Sequence, residues 1–474
     1  MRVLLLNPSI RAEQFGRFAA LLEPMPCIGI TYVATFLAQA GHQVRVWDDF
    51  AMQAGPEAIL AEVDRFRPDV FGASILTPVA TDVKNLLRRA RAKHPGMRTF
   101  AGNIHADVFP DEFLDDGTCD AVVHGEGEKA AVDLLEAWAR GEDGSKVPGV
   151  SVKGHRGKRR PIDANLDAYP FPDWGLTPYT RYSLLPLGTI QRPIVALAAS
   201  RGCPYSCTYC SLESKGKGYR RRSVGNVVDE MEHDVRAFGA KQIGFMDPIF
   251  PLGSKHAIEF SKEVVRRGLE QKMSWLSELR TDSVDRDALV WMHKSGCRRL
   301  VFGIESGDDA LLKTVKKKND IETSRQTVKW CREIGITTVG LFMIGMPGET
   351  PEQTKRTIDY ACELELDFAK FAITVPFPGS DLYEQMVRDG KLSRRDWENY
   401  TTFNPDLNRI VVASDVQTPE QLLNSLREAT MRFYLRPRMI AHQLFKVRSV
   451  DAMQMARGLW SVMPDIPRRA RSVA

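Results

Sequence analysis

Three cysteines, Cys203, Cys207 and Cys210, fall within the stretch ASRGCPYSCTYCSLES, which runs from Ala199 to Ser214 in a chain with eight cysteines in all. Spacings of four and then three residues let one loop wrap its thiolates around a metal centre, and the neighbouring Arg201, Lys215 and Lys217 are expected to favour the thiolate form. A structural zinc ion wants a fourth protein ligand close by. The next Cys or His is His233, a helix away, so a closed zinc site is disfavoured. An iron–sulfur cubane ordinarily takes four cysteines; three leave one iron without a protein ligand and open to a small molecule. Cys27, Cys119, Cys297, Cys331 and Cys362 are scattered without paired spacing. They read as small buried apolar residues and not as a disulfide framework.

The elements that must position this loop can be read from periodicity. From Pro193 the chain alternates apolar strands (IVALAAS, KQIGFMD, KMSWLSELR, RRLVFGIE, TTVGLFMIG and FAKFAITVP) with helical stretches such as VGNVVDEMEHDVRAFG and ETSRQTVKWCREIG. Six parallel strand and helix units predict a partial (β/α)6 barrel of the TIM type over residues 193–384. In such barrels the chemistry sits at the carboxyl ends of the strands, and the cysteines follow the first strand. Residues 1–144 show five strands with helices between them, which predicts an α/β, doubly wound, Rossmann-like domain with its ligand over the loops after Leu6, Ser74 and Gly102. Residues 145–192, rich in Pro, Gly and charge, read as a linker, and residues 385–474 as a small C-terminal helical region.

At 474 residues the chain is long enough for two or three domains, and 43% hydrophobic with 26% charged residues is a soluble globular balance. The start, MRVLLLNPSIRAEQFGRF, carries a short strand and not a signal peptide's apolar core, so a cytoplasmic protein is expected. A net charge of +5 is too mild to announce a nucleic acid, and none is expected as a partner. From Met431 the tail sets basic residues among apolar and aromatic ones. It suits a helix packed on its own protein or one lying on anionic lipid at the inner membrane face.

With these residues in place the chain resembles the radical SAM superfamily, whose signature C-x3-C-x2-C with an aromatic residue before the last cysteine stands here as CPYSCTYC, with Tyr209 as the aromatic. The resemblance implies a 4Fe-4S cluster held by Cys203, Cys207 and Cys210, with S-adenosylmethionine chelating the open iron. One electron then cleaves the sulfonium to methionine and a 5'-deoxyadenosyl radical that abstracts hydrogen from an unreactive carbon, the protein mainly positioning the reactants. It also implies cofactor contacts at the strand ends: Asp247 of GFMDPIF for the methionine amino group, Arg280 of ELRTD and Glu305 and Ser306 of FGIESG for ribose and carboxylate, and the Gly345–Pro347 turn of GLFMIGMPGET for adenine. Pro248 departs from the family, where a second acidic residue is common. An electron donor such as flavodoxin or ferredoxin is implied as a partner.

The first domain resembles the cobalamin-binding domain that precedes the barrel in one large class of these enzymes. FGASILTP places Ser74 and Leu76 where that domain keeps its Ser-x-Leu segment under the corrin and nucleotide tail. GNIHADVFPDE resembles its Gly-Gly-x-His segment, with Gly102 and His105 in place and Asn103 for the second glycine; Asn best tolerates a positive φ there. The closing HGEGE also fits the class. The motif D-x-H-x-x-G is missing from the loop after the first strand, which excludes an axial histidine from that loop.

The combined resemblance implies a cobalamin-dependent radical SAM methyltransferase acting on a small-molecule substrate at an unactivated carbon. One S-adenosylmethionine would rebuild methylcobalamin and a second would generate the radical. The alternative on the same modules is oxidative cyclisation or rearrangement, as in the anaerobic cyclase of chlorophyll biosynthesis. The basic, apolar tail favours a lipid-like or tetrapyrrole substrate met at a membrane surface. A tRNA methylthiotransferase is disfavoured, because Cys27 and Cys119 do not form a second cluster set and the tail reads as helical. A non-enzymatic metal-binding scaffold remains the plainest alternative.

Overall fold

The structure is a computed structural model and describes residues 1–9, 24–183, 191–212, 217–392, 396–402, 411–437 and 439. The first sheet has the order β2-β1-β3-β4-β5-β6, built from β1 (Arg2–Asn7), β2 (Gln43–Asp48), β3 (Val70–Ser74), β4 (Arg98–Gly102), β5 (Ala121–Val123) and β6 (Val150–Val152). The first five strands are parallel and β6 runs antiparallel to β5. Alternation along β1 sends Leu4 and Leu6 into one core with α2 (Gly55–Phe66) and α3 (Ala80–Lys93). Val3 and Leu5 enter the opposite core with α1 (Ile28–Gln39) and α4 (Gly127–Ala139). Burial on both faces is why the strand reads as a continuous apolar run.

The second sheet has the order β14-β13-β12-β11-β10-β7, with β7 (Ile194–Leu197), β10 (Gln242–Phe245), β11 (Ser274–Leu279), β12 (Cys297–Glu305), β13 (Thr337–Ile344) and β14 (Phe368–Ile373), all parallel. Each strand neighbours the next in sequence, with β7 and β14 as open edges, which is the expected partial barrel. Its outer helices are α5 (Val224–Phe238), α6 (Ser254–Arg266), α7 (Arg286–Lys294), α8 (Ile321–Ile334) and α9 (Pro351–Glu363); a side chain caps the first turn of four of them, at Ser223, Asp285, Asp320 and Thr350, while α6 starts at Gly253 without one. After α10 (Asp381–Arg388), α11 (Pro419–Tyr434) lays Leu422, Leu426, Ala429 and Phe433 on the barrel's core. Between α10 and α11 the expected C-terminal helical region holds, among the described residues, a single turn at Trp397–Asn399.

The stretch expected to be a linker does more than connect. Val150 and Val152 are buried at the edge of the first sheet, covering the otherwise open side of β5, while Trp174 and Tyr182, both fully buried, pack into the barrel's core. A second departure is the antiparallel hairpin of β8 (Ser200–Cys203) and β9 (Lys217–Arg221), too short for a periodic signal, which carries the first cysteine. Among the described residues no helix is long and apolar enough to cross a membrane. The tail for which membrane contact was expected begins at Met431; its first residues close α11 on the barrel, with Phe433 in the core, and from residue 440 onward it lies outside the described residues.

Gly72, in the middle of β3, tests how tightly the first sheet is packed. A Cβ there would lie 2.4 Å from the Phe100 ring and 2.8 Å from Leu5. Overpacking of this kind costs about 1–3 kcal/mol, so Gly72→Ala is expected to melt below the wild type in circular dichroism. An unchanged melting temperature would show that the Phe100 ring can turn aside.

Candidate active site

The chain leaves β7 and enters the β8–β9 hairpin through a bulge between Arg201 and Cys203, where Gly202 has a φ of +84° that favours glycine. The loop beyond is pinned from two sides: Thr208 donates its N–H to Val315 O at 3.1 Å and accepts that of Leu382 at 3.0 Å. Cys210 N–H closes a turn on Cys207 O, and Leu212 N lies 3.4 Å from the Cys210 sulfur. All three cysteines are half-buried. Burial pushes the Cys203 thiol up, Cys210 and Cys207 add to it, and Arg280 opposes it. The charge expected to favour thiolates therefore comes from Arg280. Arg201 is committed to Glu126 and Glu128, while Lys215 and the Lys217 side chain lie outside the described residues. Among the described residues no three His, Cys, Asp or Glu side chains converge on a site for one metal ion.

Around this loop stand the carboxyl ends of the barrel strands. Arg280 is buried, 3.9 Å above the ring of Tyr205, and its Nε and Nη2 pair with Asp282 at 2.8 and 2.7 Å. Its Nη1 is buried and has no hydrogen-bond partner among the described residues, a donor beside the cysteine loop. Glu305 takes a φ of +70° at a register shift in β12, and its Oε1 accepts from Tyr209 OH at 3.0 Å and Lys317 Nζ at 2.9 Å. Lys317 and Tyr205 carried no signal in the sequence because neither sits at a strand end.

Three of the expected cofactor contacts make hydrogen bonds within the protein. Asp247 is buried and accepts from Ala199 N at 3.0 Å and Ser200 Oγ at 2.5 Å, so it holds the start of the cysteine hairpin. Ser306 pairs with Thr357 and takes the N–H of Asp308, facing α9. The N–H groups of Gly345 and Met346 are taken by Glu349 at 2.7 and 2.8 Å, leaving half-buried Pro347 as the open part of that turn. The barrel lumen also holds charge. Trp275, Ser277 and Leu279 are buried in the wall, so the alternate residue Glu278 faces inward. Solvent reaches it through the lumen, yet the surrounding protein pushes its carboxyl up to about 7, with Glu305 adding to the rise and Lys317 and Lys370 opposing it.

Between the two sheets lies a cavity of about 910 Å³, at the large end for small-molecule sites. Ser74, Gly102 and Asn103 line it, as do Asn7, Cys27 and Gly125; from the barrel come Ser200, Arg201, Met246 and Pro248. Asn103 has a φ of 75°, donates to Ser74 Oγ at 2.9 Å and accepts from Ile104 N at 2.6 Å. Two expected contacts do not line the cavity. Leu76 is 44% exposed outside it, and His105 is fully buried among Phe109, Phe113 and Trp397, 3.3 Å from Thr77 Oγ1. The reason is local: the short helix Ile104–Val108 begins right after Asn103 and rolls the histidine into the core. The histidine that does line the cavity is His124, with Nδ1 2.5 Å from Asp107 and Nε2 2.6 Å from Ser151. Both ring nitrogens are engaged, so neither is available to a metal.

The same two halves emerge from comparison with known proteins. Residues 197–361 match the model of the radical SAM superfamily, and residues 18–135 that of the B12 binding domain. An uncharacterized methyltransferase of Pyrococcus horikoshii is 30% identical over 445 residues, 92% of this chain and 94% of its own. The chain belongs to the cobalamin-dependent radical SAM enzymes. Its cofactors are a 4Fe-4S cluster, S-adenosylmethionine and cobalamin. Anaerobic magnesium-protoporphyrin IX monomethyl ester cyclase of Rubrivivax gelatinosus is 26% identical, covering 92% of this chain and 78% of its own. In fold, this radical SAM enzyme is similar to the methyltransferase TsrM of Kitasatospora setae, solved with cobalamin and a [4Fe-4S] cluster bound: TM-score 0.68 at 19% identity, over 92% of this chain and 90% of that one.

The residues present suit these groups. Three thiols without a fourth match a cluster with an open corner, the spare N–H of Arg280 suits a carboxylate, and the cavity has room for a corrin. Asp247 offers a test of its role as a hairpin anchor. Burial holds its carboxyl up at about 7 against an ordinary 3.8. Its contribution to stability is therefore whole below about pH 4 and is lost as pH rises through about 7. Asp247→Asn is expected to flatten the corresponding fall in melting temperature. A variant with the wild-type slope would show that the carboxyl is ionised throughout.

Proposed function

We propose that this enzyme transfers a methyl group to an unactivated carbon of a small molecule held between the corrin and the barrel mouth. The observation that carries the reading is a cavity onto which both sheets open at carboxyl ends of their strands, with the cysteine hairpin at its rim. When bound, the cluster with S-adenosylmethionine supplies a deoxyadenosyl radical and cobalamin supplies the methyl group.

The chain's own residues bind and orient. Cys203, Cys207 and Cys210 hold three corners of the cluster. The Arg280 Nη1 donates to the methionine carboxylate, and Tyr209, Glu305 and the Gly345–Pro347 turn border the nucleoside, with Lys317 fixing the Glu305 carboxylate. Ser74, Gly102 and Asn103 meet the corrin from the first sheet, beside His124. Glu278 and Lys370 make the lumen a charged place, which suits a tetrapyrrole or another substrate bearing polar groups better than a bare hydrocarbon skeleton. A small electron-transfer protein such as flavodoxin or ferredoxin supplies the electron.

The Pyrococcus relative supports methyl transfer, and so does the hopanoid C-3 methylase of Methylococcus capsulatus, 28% identical over 428 residues. The cyclase relative keeps cyclisation or rearrangement as the second reading. Anaerobic protein loaded with cluster and cobalamin, given reductant, S-adenosylmethionine and cell extract, is expected to release S-adenosylhomocysteine and 5'-deoxyadenosine in equal amounts. Deoxyadenosine alone would favour cyclisation, and neither product would overturn both readings. Cys207→Ala is expected to stay folded by circular dichroism while losing the cluster's visible absorbance and all deoxyadenosine formation. An unfolded variant would instead support a structural metal scaffold.

A further inference from the structure

The cysteine hairpin is fastened to the first domain by a cluster of charges that the mechanism above does not use. Arg201 and Arg220 stand opposite each other across β8 and β9. Arg201 places Nη2 2.5 Å from Glu128 Oε1 and Nη1 3.3 Å from Glu126 Oε2. Arg220 forks onto the same Glu126 and donates to Asp163 O at 2.5 Å. The Arg201 guanidinium lies between two rings, 5.1 Å from Tyr32 on α1 and 4.9 Å from Tyr169 in the connecting stretch. Glu126 and Glu128 occupy the cap and first turn of α4, where the helix dipole favours negative charge.

Two features make this more than a domain contact. The clamp sits two residues before Cys203, on the strand that sets the cysteine's place. Its residues are also part of the wall of the large cavity: Glu126, Glu128, Arg201, Arg220 and Tyr169 all line it. Glu128 keeps one carboxylate oxygen, Oε2, buried without a hydrogen-bond partner among the described residues. A ligand filling the cavity from the first sheet therefore presses on the same side chains that fix the hairpin.

We propose that Arg201, with Glu126 and Glu128, is a positioning device that couples cobalamin binding to assembly of the iron–sulfur cluster, so that each cofactor tightens the other's site. The inference rests on the cofactor placement proposed above. Ordering the hairpin around the cluster aligns both guanidinium groups with α4 and completes the cavity wall. By linkage, filling the cavity then steadies the cysteine loop to the same extent.

The test uses the full chain under anaerobic conditions and hydroxocobalamin as the probe, with affinity measured by equilibrium dialysis before and after cluster reconstitution. The wild type is expected to bind about ten-fold more tightly once the cluster is present, within the usual range of such couplings. Reciprocally, bound hydroxocobalamin is expected to slow iron loss to a chelator and to shift the electron paramagnetic resonance spectrum of the reduced cluster. Arg201→Ala and the milder Glu126→Gln, whose carboxylate is about a third exposed, should take up both cofactors yet lose the ten-fold difference and the spectral shift. Arg201→Lys, which keeps the charge without the fork, should restore only part of them. Equal affinity of the wild type with and without cluster, or full coupling in Arg201→Ala, would overturn the inference alone. A wild type that takes up no hydroxocobalamin at all would overturn the proposed cofactor placement and this inference with it.

Discussion

A guanidinium mostly removed from water has to find anions and aromatic faces within reach, and Arg201 finds both only where the barrel and the first domain meet. Breaking a buried pair by deleting one partner typically costs about 3–5 kcal/mol. That is why such a pair dictates where its two carriers sit relative to each other. Here the carriers are the strand leading into Cys203 and the start of α4. Apolar contact adds to this registration on another side, where Val375, Tyr383, Trp397, Tyr400 and Val411 from beyond the barrel's last strand join one core of the first domain.

Once that seam is placed, the rest follows from parallel strands. Every strand of the barrel and the first five of the other sheet end at the same edge, and a parallel strand's carboxyl end is where side chains and turns are free of the ladder. Opposing the two edges produces a cavity whose walls are loops, short turns and glycines, with polar groups already facing it. The connecting stretch supports this from behind: Trp174 and Tyr182 anchor it in the barrel core, while Tyr182 OH donates to Asp48 at the end of β2 at 2.8 Å.

The strands of both sheets were legible because their signal is redundant. The apolar run RVLLLN is buried on both faces and FAKFAI on one, and both are short and bounded by turn residues, so length and composition agree. The hairpin, β6 and the seam were not legible, because each depends on pairing across the fold. Glu126 and Glu128 pair with Arg201, and Ser151 meets His124, only after two distant segments have been brought together. The three cysteines stood out as candidate metal ligands by spacing alone. The roles given to Asp247, Ser306, Leu76 and His105 were not supported, since a polar or small residue after a strand is a mark of position and does not say which way the side chain turns.

What separates a ligand contact from a backbone staple is spare valence. At the end of a strand the first N–H groups of the turn have lost their ladder partners and must be satisfied, and a buried carboxylate does this well. Glu349 accepts Gly345 and Met346, and Asp247 accepts Ala199 and the Ser200 hydroxyl, so each carboxylate holds the turn beside it. Arg280 is the opposite case. Asp282 fixes two of its nitrogens and Tyr205 supports its plane, while Nη1 stays buried and unspent beside the cysteine loop. Leaving a charged donor in that state costs stability, and a fold keeps such a cost where a ligand repays it on binding. The unspent donor therefore supports the proposed placement of the site's mouth beside the cysteine loop.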